Sequence, residues 1–379
     1  MFEYSLGTLK RGIKKSYYSY TYTPTDAIIF LTYRCTSRCV ACNMWQRPVN
    51  IDDELSWEQW QPILENLAES GINNIEMFGG DALLRKELLL NMIRFCTDHN
   101  IGTFFPTNSS SMTEKTIKGL VDAGLGTLYI SLDEAPDMGE SIRGVKRHFE
   151  KVSKSLELVR KIRGNSPNPR ISCITTVSSM NYKHLETLNQ AAFEAGADEH
   201  MIRGISEFTP KTVEETQVNG IHPDPYFMST DGKTHAYTDE QATELLEIIK
   251  RVWRNREKHH PMSTDITNMR GLTHDDLIKL RYPHQTCVFA TTQVVLSPYG
   301  DVLPCLYFKD YQLGNLTKQN LRDVWGNKAH RLFCSQQQKQ KMSICDQCSI
   351  KFYHKTFLPS VKDVARAALD KAEKIVRAN

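Results

Sequence analysis

The segment that decides the fold is residues 26–45, DAIIFLTYRCTSRCVACNMW, in which an apolar run leads into a cysteine-rich loop. The run Asp26–Leu31 has the length and the β-branched content of a buried strand. The loop carries Cys35, Cys39 and Cys42 in the spacing C-x3-C-x2-C. Three thiolates can bind three irons of a [4Fe–4S] cube and leave the fourth iron open to a small-molecule ligand. Zinc is the alternative metal, although a structural zinc site needs four ligands and no fourth lies close by in the sequence.

Predicted strands and helices alternate from Asp26 to about Gly204. Five further strands are predicted at Asn74–Phe78, Gly102–Thr107, Thr127–Leu132, Arg170–Val177 and Glu199–Arg203. The first predicted helix is capped at Ser56 and ended by Gly71. Further helices are predicted at Lys86–His99, Glu114–Ala123, His148–Arg163 and Tyr182–Ala195. Six strands joined by helices imply parallel βαβ units, whose ligands collect at the carboxyl ends of the strands. A doubly wound sheet and a partial barrel both fit this alternation.

Composition excludes several classes of protein. The chain has 379 residues, enough for one large domain with an appendage or for two domains. A net charge of +3 is too small to indicate nucleic acid or an anionic membrane as a partner. The N-terminal stretch lacks an apolar signal region, and no run approaches the roughly 20 apolar residues of a membrane span. The ten cysteines are clustered, which favours metal ligation over disulfides and predicts a cytoplasmic protein without a membrane span.

A second cysteine set lies near the C-terminus. Cys287 and Cys305 flank a predicted β-hairpin that turns at Gly300, and Cys345 and Cys348 form a C-x2-C pair. Four thiols suit a fully coordinated cube, although four cysteines also suit tetrahedral zinc.

The remaining cysteines have other predicted roles. Cys96 and Cys173 fall on a predicted helix and a predicted strand, where they are expected in the core. Cys334 is a weaker alternative ligand for the C-terminal set. His354 is a further alternative, although the segment KFYHK indicates a surface histidine.

These motifs resemble the radical S-adenosylmethionine (SAM) enzymes that carry a C-terminal auxiliary-cluster region, called SPASM or, in its shorter form, twitch. The resemblance implies a partial (β/α)6 TIM-like barrel with a small C-terminal α+β domain. It divides the chain into an N-terminal extension (1–25), a radical SAM core (26–204), a linker or insertion with a helix (205–280), an auxiliary-cluster domain (281–355) and a C-terminal helix (356–379). The two further cysteines of a full SPASM pattern fall on His354 and Leu358, so the twitch form with one auxiliary cluster fits better.

The same resemblance implies a SAM pocket at the strand ends. The segment Met77–Asp81, MFGGD, is similar to the Gly-Gly-Glu segment that holds the SAM amino group in the family, with an acid one methylene shorter. Ala41 stands where the family often has an aromatic residue. The residues that the resemblance assigns to SAM are Gly79, Gly80, Asp81, Thr107, Asn108, Ser131, Asp133 and Arg143. Thr175, Ser178 and Met201 are weaker candidates.

The implied cofactors are a SAM-binding [4Fe–4S] cluster, SAM itself and an auxiliary [4Fe–4S] cluster. The implied reaction is reductive cleavage of SAM to a 5′-deoxyadenosyl radical, which takes a hydrogen atom from the substrate, with electrons from a flavodoxin- or ferredoxin-type donor. A small molecule resembling a sugar or an aminocyclitol is the first substrate expectation. Peptide or protein modification is the alternative, and a metal-stapled binding or electron-transfer protein is the non-enzyme alternative.

Overall fold

Ten strands form one sheet in the computed structural model, which describes residues 24–138, 141–282, 287–339 and 342–350. The strands are β1 (Asp26–Phe30), β2 (Asn74–Phe78), β3 (Gly102–Thr107), β4 (Thr127–Ser131), β5 (Arg170–Val177), β6 (Glu199–Gly204), β7 (Ser263–Asp265), β8 (Gln293–Leu296), β9 (Asp301–Leu303) and β10 (Gly314–Asn315). Their order is β10-β9-β8-β1-β2-β3-β4-β5-β6-β7. All neighbouring pairs from β8 through β7 are parallel, and β9 and β10 add antiparallel pairs at one edge.

Eleven α-helices accompany these strands within the described ranges. They are α1 (Trp57–Glu69), α2 (Lys86–Asp98), α3 (Glu114–Asp122), α4 (His148–Arg163), α5 (Leu185–Glu194), α6 (Pro210–Glu214), α7 (Asp239–Asn255), α8 (His274–Ile278), α9 (Phe289–Thr292), α10 (Leu321–Val324) and α11 (Lys328–Gln338). Short 3-10 turns occur at Met44–Gln46, Ala82–Arg85, Tyr182–His184, Arg256–His259 and Ser343–Cys345. In this part of the chain no helix combines the length and the apolar character that a membrane crossing requires.

The strand order decides between the two predicted architectures. Strands β1 to β6 lie side by side in chain order, whereas a doubly wound sheet reverses direction at a switch point. Burial alternates along β2, β3, β4 and β6, with one face fully buried and the other partly exposed. The buried face packs on the helices, and the other face therefore lines the open interior of a curved sheet. The fold is the partial (β/α)6 barrel.

Most predicted elements are confirmed, some of them residue for residue, such as β2, β5 and α4. Ser56 begins α1, where its backbone N–H donates to Gln59 Oε1 at 2.9 Å, and Gly71 follows the helix with a φ of +87°. The helix expected within 205–280 is α7, and the 3-10 turn Arg256–His259 follows it. The short edge strand β7 was not predicted.

The predicted hairpin near the C-terminus is formed by β8 and β9, and β8 continues the barrel sheet by pairing with β1. One continuous hydrophobic cluster accordingly runs from the barrel into the C-terminal region. Expectations for the N-terminal extension, His354 and the C-terminal helix lie outside the described residues. The domain boundaries stay predictions.

Candidate active site

The three cysteines of the first set lie at the carboxyl end of β1, each partly exposed. Burial raises the pKa of the Cys35 thiol to about 11 and that of Cys42 to about 12; Cys39 adds to both shifts, and Cys35 adds to that of Cys42. Binding to a cationic metal group would offset the cost of forming buried thiolates.

Two other segments hold the cysteine loop in place. The backbone N–H groups of Arg38 and Val40 donate to the carbonyls of Arg143 and Ile142, each at 3.0 Å. An added Cβ at Gly144, whose φ is +62°, would lie 2.7 Å from the Arg38 carbonyl oxygen. Segment 205–237 contributes two more bonds, from Thr230 N–H to the Val40 carbonyl and from Asn43 N–H to the Tyr226 carbonyl. The loop is therefore fixed on both sides before any cofactor binds.

A buried carboxylate fixes the junction between β1 and this loop. Glu54 Oε1 accepts a hydrogen bond from Thr32 Oγ1 at 2.5 Å, and its Oε2 lies 3.0 Å from Arg34 and 3.7 Å from Arg85. Arg85 also donates to the Leu31 carbonyl at the end of the strand. Two arginines and a hydroxyl are thus the partners of the Glu54 carboxylate. The sequence did not indicate this role for Glu54.

The Gly79-Gly80-Asp81 segment packs directly against the start of the cysteine loop. Gly80 N–H donates to the Thr32 carbonyl at 3.0 Å, and Asp81 N–H donates to the Arg34 carbonyl at 2.8 Å. An added Cβ at Gly80 would lie 2.2 Å from the Arg34 carbonyl oxygen. The glycines are therefore required by backbone packing. The Asp81 carboxylate accepts hydrogen bonds from Thr36 and from Leu83 N–H, and it influences the Cys35 thiol.

Polar residues after β3 lie against the same loop. Asn108 Nδ2 donates to Ser37 Oγ at 2.7 Å and to Thr36 Oγ1 at 3.1 Å, and Thr107 Oγ1 accepts from Ser109 N–H. The buried hydroxyl of Ser109 and the buried Oδ1 of Asn43 have no hydrogen-bond partner among the described residues. Such atoms need a partner. Neither was recognised as a site residue from the sequence, because an isolated serine or asparagine in a loop carries no periodic signal.

A salt bridge closes the opposite side of the loop. Asp133, just beyond β4, binds Arg143 and accepts from Thr176 N–H at 2.6 Å. Burial opposes the charge of Arg143, but Asp133 and the Cys39 thiol outweigh it and raise the pKa of Arg143 above its ordinary value. The predicted SAM residue Ser131 ends β4 on the interior face.

The weaker SAM candidates divide between the two faces of the sheet. Thr175 is fully buried and bonds the Leu132 carbonyl and His200, so it faces away from the interior, and Ser178 is likewise buried. Met201 lies on the interior face of β6.

The C-terminal cysteines form a second site. Burial raises the pKa of the Cys305 thiol well above its ordinary value, and the Cys348 and Cys287 thiols add to the shift. Cys345 N–H donates to the Met342 carbonyl, and Cys348 N–H donates to the Cys345 carbonyl, which forms the C-x2-C turn.

The leftover cysteines within the described ranges are all fully buried. Cys96 on α2 and Cys173 on β5 belong to the core, as expected. Burial raises the pKa of the Cys334 thiol on α11, with a smaller contribution from Cys287, and this thiol donates to the Ala290 carbonyl at 3.8 Å.

The donor sets fit iron–sulfur groups chemically. Both sites present soft thiol donors, which iron–sulfur clusters require, and orphaned polar atoms lie beside the first set. Within the described ranges no three His, Cys, Asp or Glu side chains are grouped compactly enough to hold one metal ion. The fit therefore rests on the thiols themselves.

Comparison with known families agrees with this chemistry. The family model described as "Radical SAM superfamily" matches residues 29–191, and the model described as "Iron-sulfur cluster-binding domain", SPASM, matches residues 287–349. Together the two ranges cover more than half of the chain. The chain belongs to the radical SAM superfamily. It is a radical SAM enzyme, and its two domains imply SAM, a [4Fe–4S] cluster and auxiliary iron–sulfur binding.

Two curated relatives illustrate the range of this superfamily. The AdoMet-dependent heme synthase of Methanosarcina barkeri is 23% identical over 83% of this chain and 86% of its own length. The PqqA peptide cyclase of Bradyrhizobium diazoefficiens is 25% identical over 37% of each chain.

Solved structures share the fold. Streptococcus suis SuiB bound to its precursor peptide SuiA has a TM-score of 0.60 at 15% identity, over 92% of this chain and 79% of SuiB. The structure of anSMEcpe with AdoMet and the Cp18Cys peptide has a TM-score of 0.61 at 15% identity, over 94% of this chain and all of that one. At these identities the likeness establishes the fold alone.

A tyrosine pair lies between the two cysteine sets of this radical SAM enzyme. The ring centroids of Tyr226 and Tyr307 are 5.4 Å apart. Burial raises the pKa of the Tyr226 hydroxyl well above its usual range, and both Cys42 and Cys305 contribute. Tyr307 lies in turn beside Cys305 and Cys348. An aromatic contact therefore connects the neighbourhoods of the two cysteine sets.

An open groove of 380 Å³ borders the cysteine loop. Its wall consists of Asn43 from the loop and of side chains from 205–237, chiefly Pro210, Val213, Pro223, Pro225 and Met228. Tyr226 follows Pro225 of the groove wall, and its ring packs on Phe78 of β2 with centroids 6.1 Å apart. Segment 205–237, within the predicted linker or insertion, thus forms a cleft beside the cysteine loop.

Proposed function

We propose that this radical SAM enzyme oxidises or cross-links a peptide or a segment of a protein, beginning with removal of a hydrogen atom. The observation that carries the proposal is the open groove beside Asn43. An extended chain can lie in an open groove and insert one side chain toward the cysteine loop, whereas a small molecule needs burial on most of its surface.

The names of similar proteins give further support. PqqA peptide cyclases recur among the curated relatives, and the SuiB and anSMEcpe structures contain peptides. The peptide alternative therefore has more support than the sugar- or aminocyclitol-like small molecule that was expected first.

A tetrapyrrole is the second candidate substrate, because the heme synthase is similar over most of both chains. The charge of the groove favours the peptide. Glu214 and Asp224 line it, and only Asp224 has basic partners nearby, Arg47 at 3.1 Å and Lys309 at 3.3 Å. A porphyrin carboxylate placed beside Glu214 would meet like charge.

Each part of the site has a proposed role. Cys35, Cys39 and Cys42 would hold the SAM-binding cluster, which with SAM supplies a 5′-deoxyadenosyl radical. The orphaned oxygens of Asn43 and Ser109 would receive hydrogen bonds from the bound cofactor.

The remaining residues of the SAM pocket would position SAM. They are Gly79, Gly80, Asp81, Thr107, Asn108, Ser131, Asp133 and Arg143.

Cys287, Cys305, Cys345 and Cys348 would hold the auxiliary cluster. The Tyr226–Tyr307 contact would bring that cluster's surroundings close to the substrate. The proposed electron donor is a flavodoxin or a ferredoxin.

The test uses the reconstituted full chain under anaerobic conditions with SAM and a reductant. Three deuterated pools are supplied separately: peptides from a digested cell extract, iron-coproporphyrin, and a mixture of sugars and aminocyclitols. Deuterium in 5′-deoxyadenosine is measured by mass spectrometry. We expect deuterium transfer from the peptide pool, together with a peptide that has lost two hydrogen atoms.

Three results would contradict the proposal. Transfer from coproporphyrin alone would assign the tetrapyrrole reaction, and transfer from the sugar pool alone would restore the first expectation. Bound zinc without SAM cleavage would remove the radical chemistry altogether.

A further inference from the structure

A carboxylate in the barrel interior has no role in the site described above. Glu76 lies in the middle of β2, on the partly exposed face that lines the interior. Its neighbours in register are Ile28 on β1 and Phe104 on β3, both apolar. Gly79 lies three residues further along the chain, just past the end of β2, so the Glu76 backbone is about 10 Å below the predicted SAM residue Gly79 at the usual strand rise. A substrate side chain that passes the SAM pocket would extend to this level of the barrel interior.

Two tyrosines share the surroundings of this carboxylate. Burial raises the pKa of the Tyr129 hydroxyl on β4 and of the Tyr226 hydroxyl, and Glu76 adds to both shifts. The ring of Tyr129 stacks on Phe104 with centroids 5.9 Å apart. Tyr226 is 1% exposed, and its hydroxyl has no hydrogen-bond partner among the described residues. A buried hydroxyl without a partner marks a place where a ligand's polar group can bind.

The charged groups on β1 and β6 have partners other than Glu76. Asp26 on β1 is bound to Asn74, and Glu199 and Arg203 on β6 pair with Arg170 and Asp265. Burial alone raises the pKa of Glu76 to about 7. A carboxyl without a cation partner, surrounded by apolar and phenolic groups, can gain and lose a proton near neutral pH.

We propose that Glu76 is the proton acceptor for the oxidised substrate. This inference rests on the proposed function, because any two-electron oxidation or cross-link needs a proton acceptor. Joining a C–H carbon to the heteroatom of an X–H group breaks both bonds and forms one C–X bond. SAM at its cluster would supply the 5′-deoxyadenosyl radical that takes the hydrogen atom, a cluster held by Cys287, Cys305, Cys345 and Cys348 would take one electron, and Glu76 takes the X–H proton.

The test compares hydrogen removal with product formation in the reconstituted full chain. Glu76→Gln keeps the size of the side chain but cannot accept a proton. With the deuterated pool that labels 5′-deoxyadenosine in the wild type, the variant should still transfer deuterium, while product formation falls about 100-fold. The product-forming rate of the wild type should rise with pH up to about 7, as Glu76 ionises, and the variant should lose this dependence. Glu76→Asp should restore part of the product.

A matched control and a direct titration complete the design. Glu199→Gln changes another interior carboxylate, paired with Arg170, and should keep the ratio of product to deuterium transfer. Infrared difference spectra of the reconstituted wild type should show a carboxyl band that titrates near pH 7 and shifts in Glu76→Asp. The proposal would be overturned if Glu76→Gln formed product at the wild-type rate. If that variant does not assemble, absence of the carboxyl band that titrates near pH 7 in the wild type would overturn it. Failure of peptides as substrates would instead appear as unlabelled 5′-deoxyadenosine in the wild type.

Discussion

Replacing Gly80 with alanine tests whether backbone contact between β2 and the cysteine loop positions the SAM-cleaving site. An added Cβ would lie 2.2 Å from the Arg34 carbonyl oxygen, and ordinary contact begins at 3.4 Å. The two backbones must therefore separate by about 1.2 Å, which strains the hydrogen bonds from Gly80 to Thr32 and from Asp81 to Arg34. Overpacking of this kind costs about 2 kcal/mol of stability.

The functional loss should exceed the loss of stability. A misplacement of about 1 Å at a reacting centre costs about 100-fold in rate, because alignment of the reacting atoms is lost. We expect Gly80→Ala to keep most of its iron but to form 5′-deoxyadenosine about 100-fold more slowly. The assay measures 5′-deoxyadenosine per bound iron under dithionite, alongside thermal unfolding of the same samples.

Gly71→Ala is the matched control. Gly71 has a φ of +87° but nothing within 4 Å of an added Cβ, so alanine there is strained without pressing on a neighbour. Its stability should fall by about 1 kcal/mol, while SAM cleavage per iron stays at the wild-type level. The reasoning is refuted if Gly80→Ala cleaves SAM as fast as this control.

Three further predictions concern the supports of the site. Glu54→Gln should destabilise the fold by about 3 kcal/mol, since two arginines lose a buried partner, and a lower thermal midpoint would show it. Replacing Cys345 and Cys348 with alanine should block product formation but preserve SAM cleavage, and unimpaired product would refute an electron-accepting auxiliary cluster. The hydrogen bond to Glu207 raises the pKa of His235, so its stabilisation of segment 205–237 is present below about pH 6.5 and lost as pH rises through the raised pKa. Hydrogen exchange should quicken there with rising pH, and His235→Gln should remove the dependence.

Local patterns predicted the barrel strands because each strand carries its own signal. The alternation in β2 and the β-branched content of β5 are complete within a few residues, so their bounds agree with prediction. The pairing of β8 with β1 could not be predicted, because it joins Gln293 to Asp26 across most of the chain. The short strand β7 likewise depends on its neighbour β6.

Site residues that follow a sequence motif were predicted, whereas site residues that are defined only by tertiary packing were missed. The cysteine spacing indicated the metal loop, but the contact of Asp81 with Thr36 appears only when β2 and the loop meet. Tyr226 lies in an irregular segment without periodicity, so nothing marked it. Glu76 left a usable signal: parallel strands inside a barrel are generally apolar on both faces, and a carboxylate in NIEMF breaks that rule.

The position of Tyr226 connects the proposed steps. Its backbone carbonyl holds Asn43 of the cysteine loop, its ring contacts Tyr307, and its hydroxyl lies near Glu76. An oxidation that releases a hydrogen atom, an electron and a proton is hard to reverse when the three leave in different directions. The hydrogen atom would leave toward SAM, the electron toward the C-terminal cysteines and the proton toward Glu76. Tyr226 contacts the surroundings of all three. Tyr226→Phe, which removes only the hydroxyl, should therefore affect the proton step more than hydrogen removal, and an equal loss in both would contradict this arrangement.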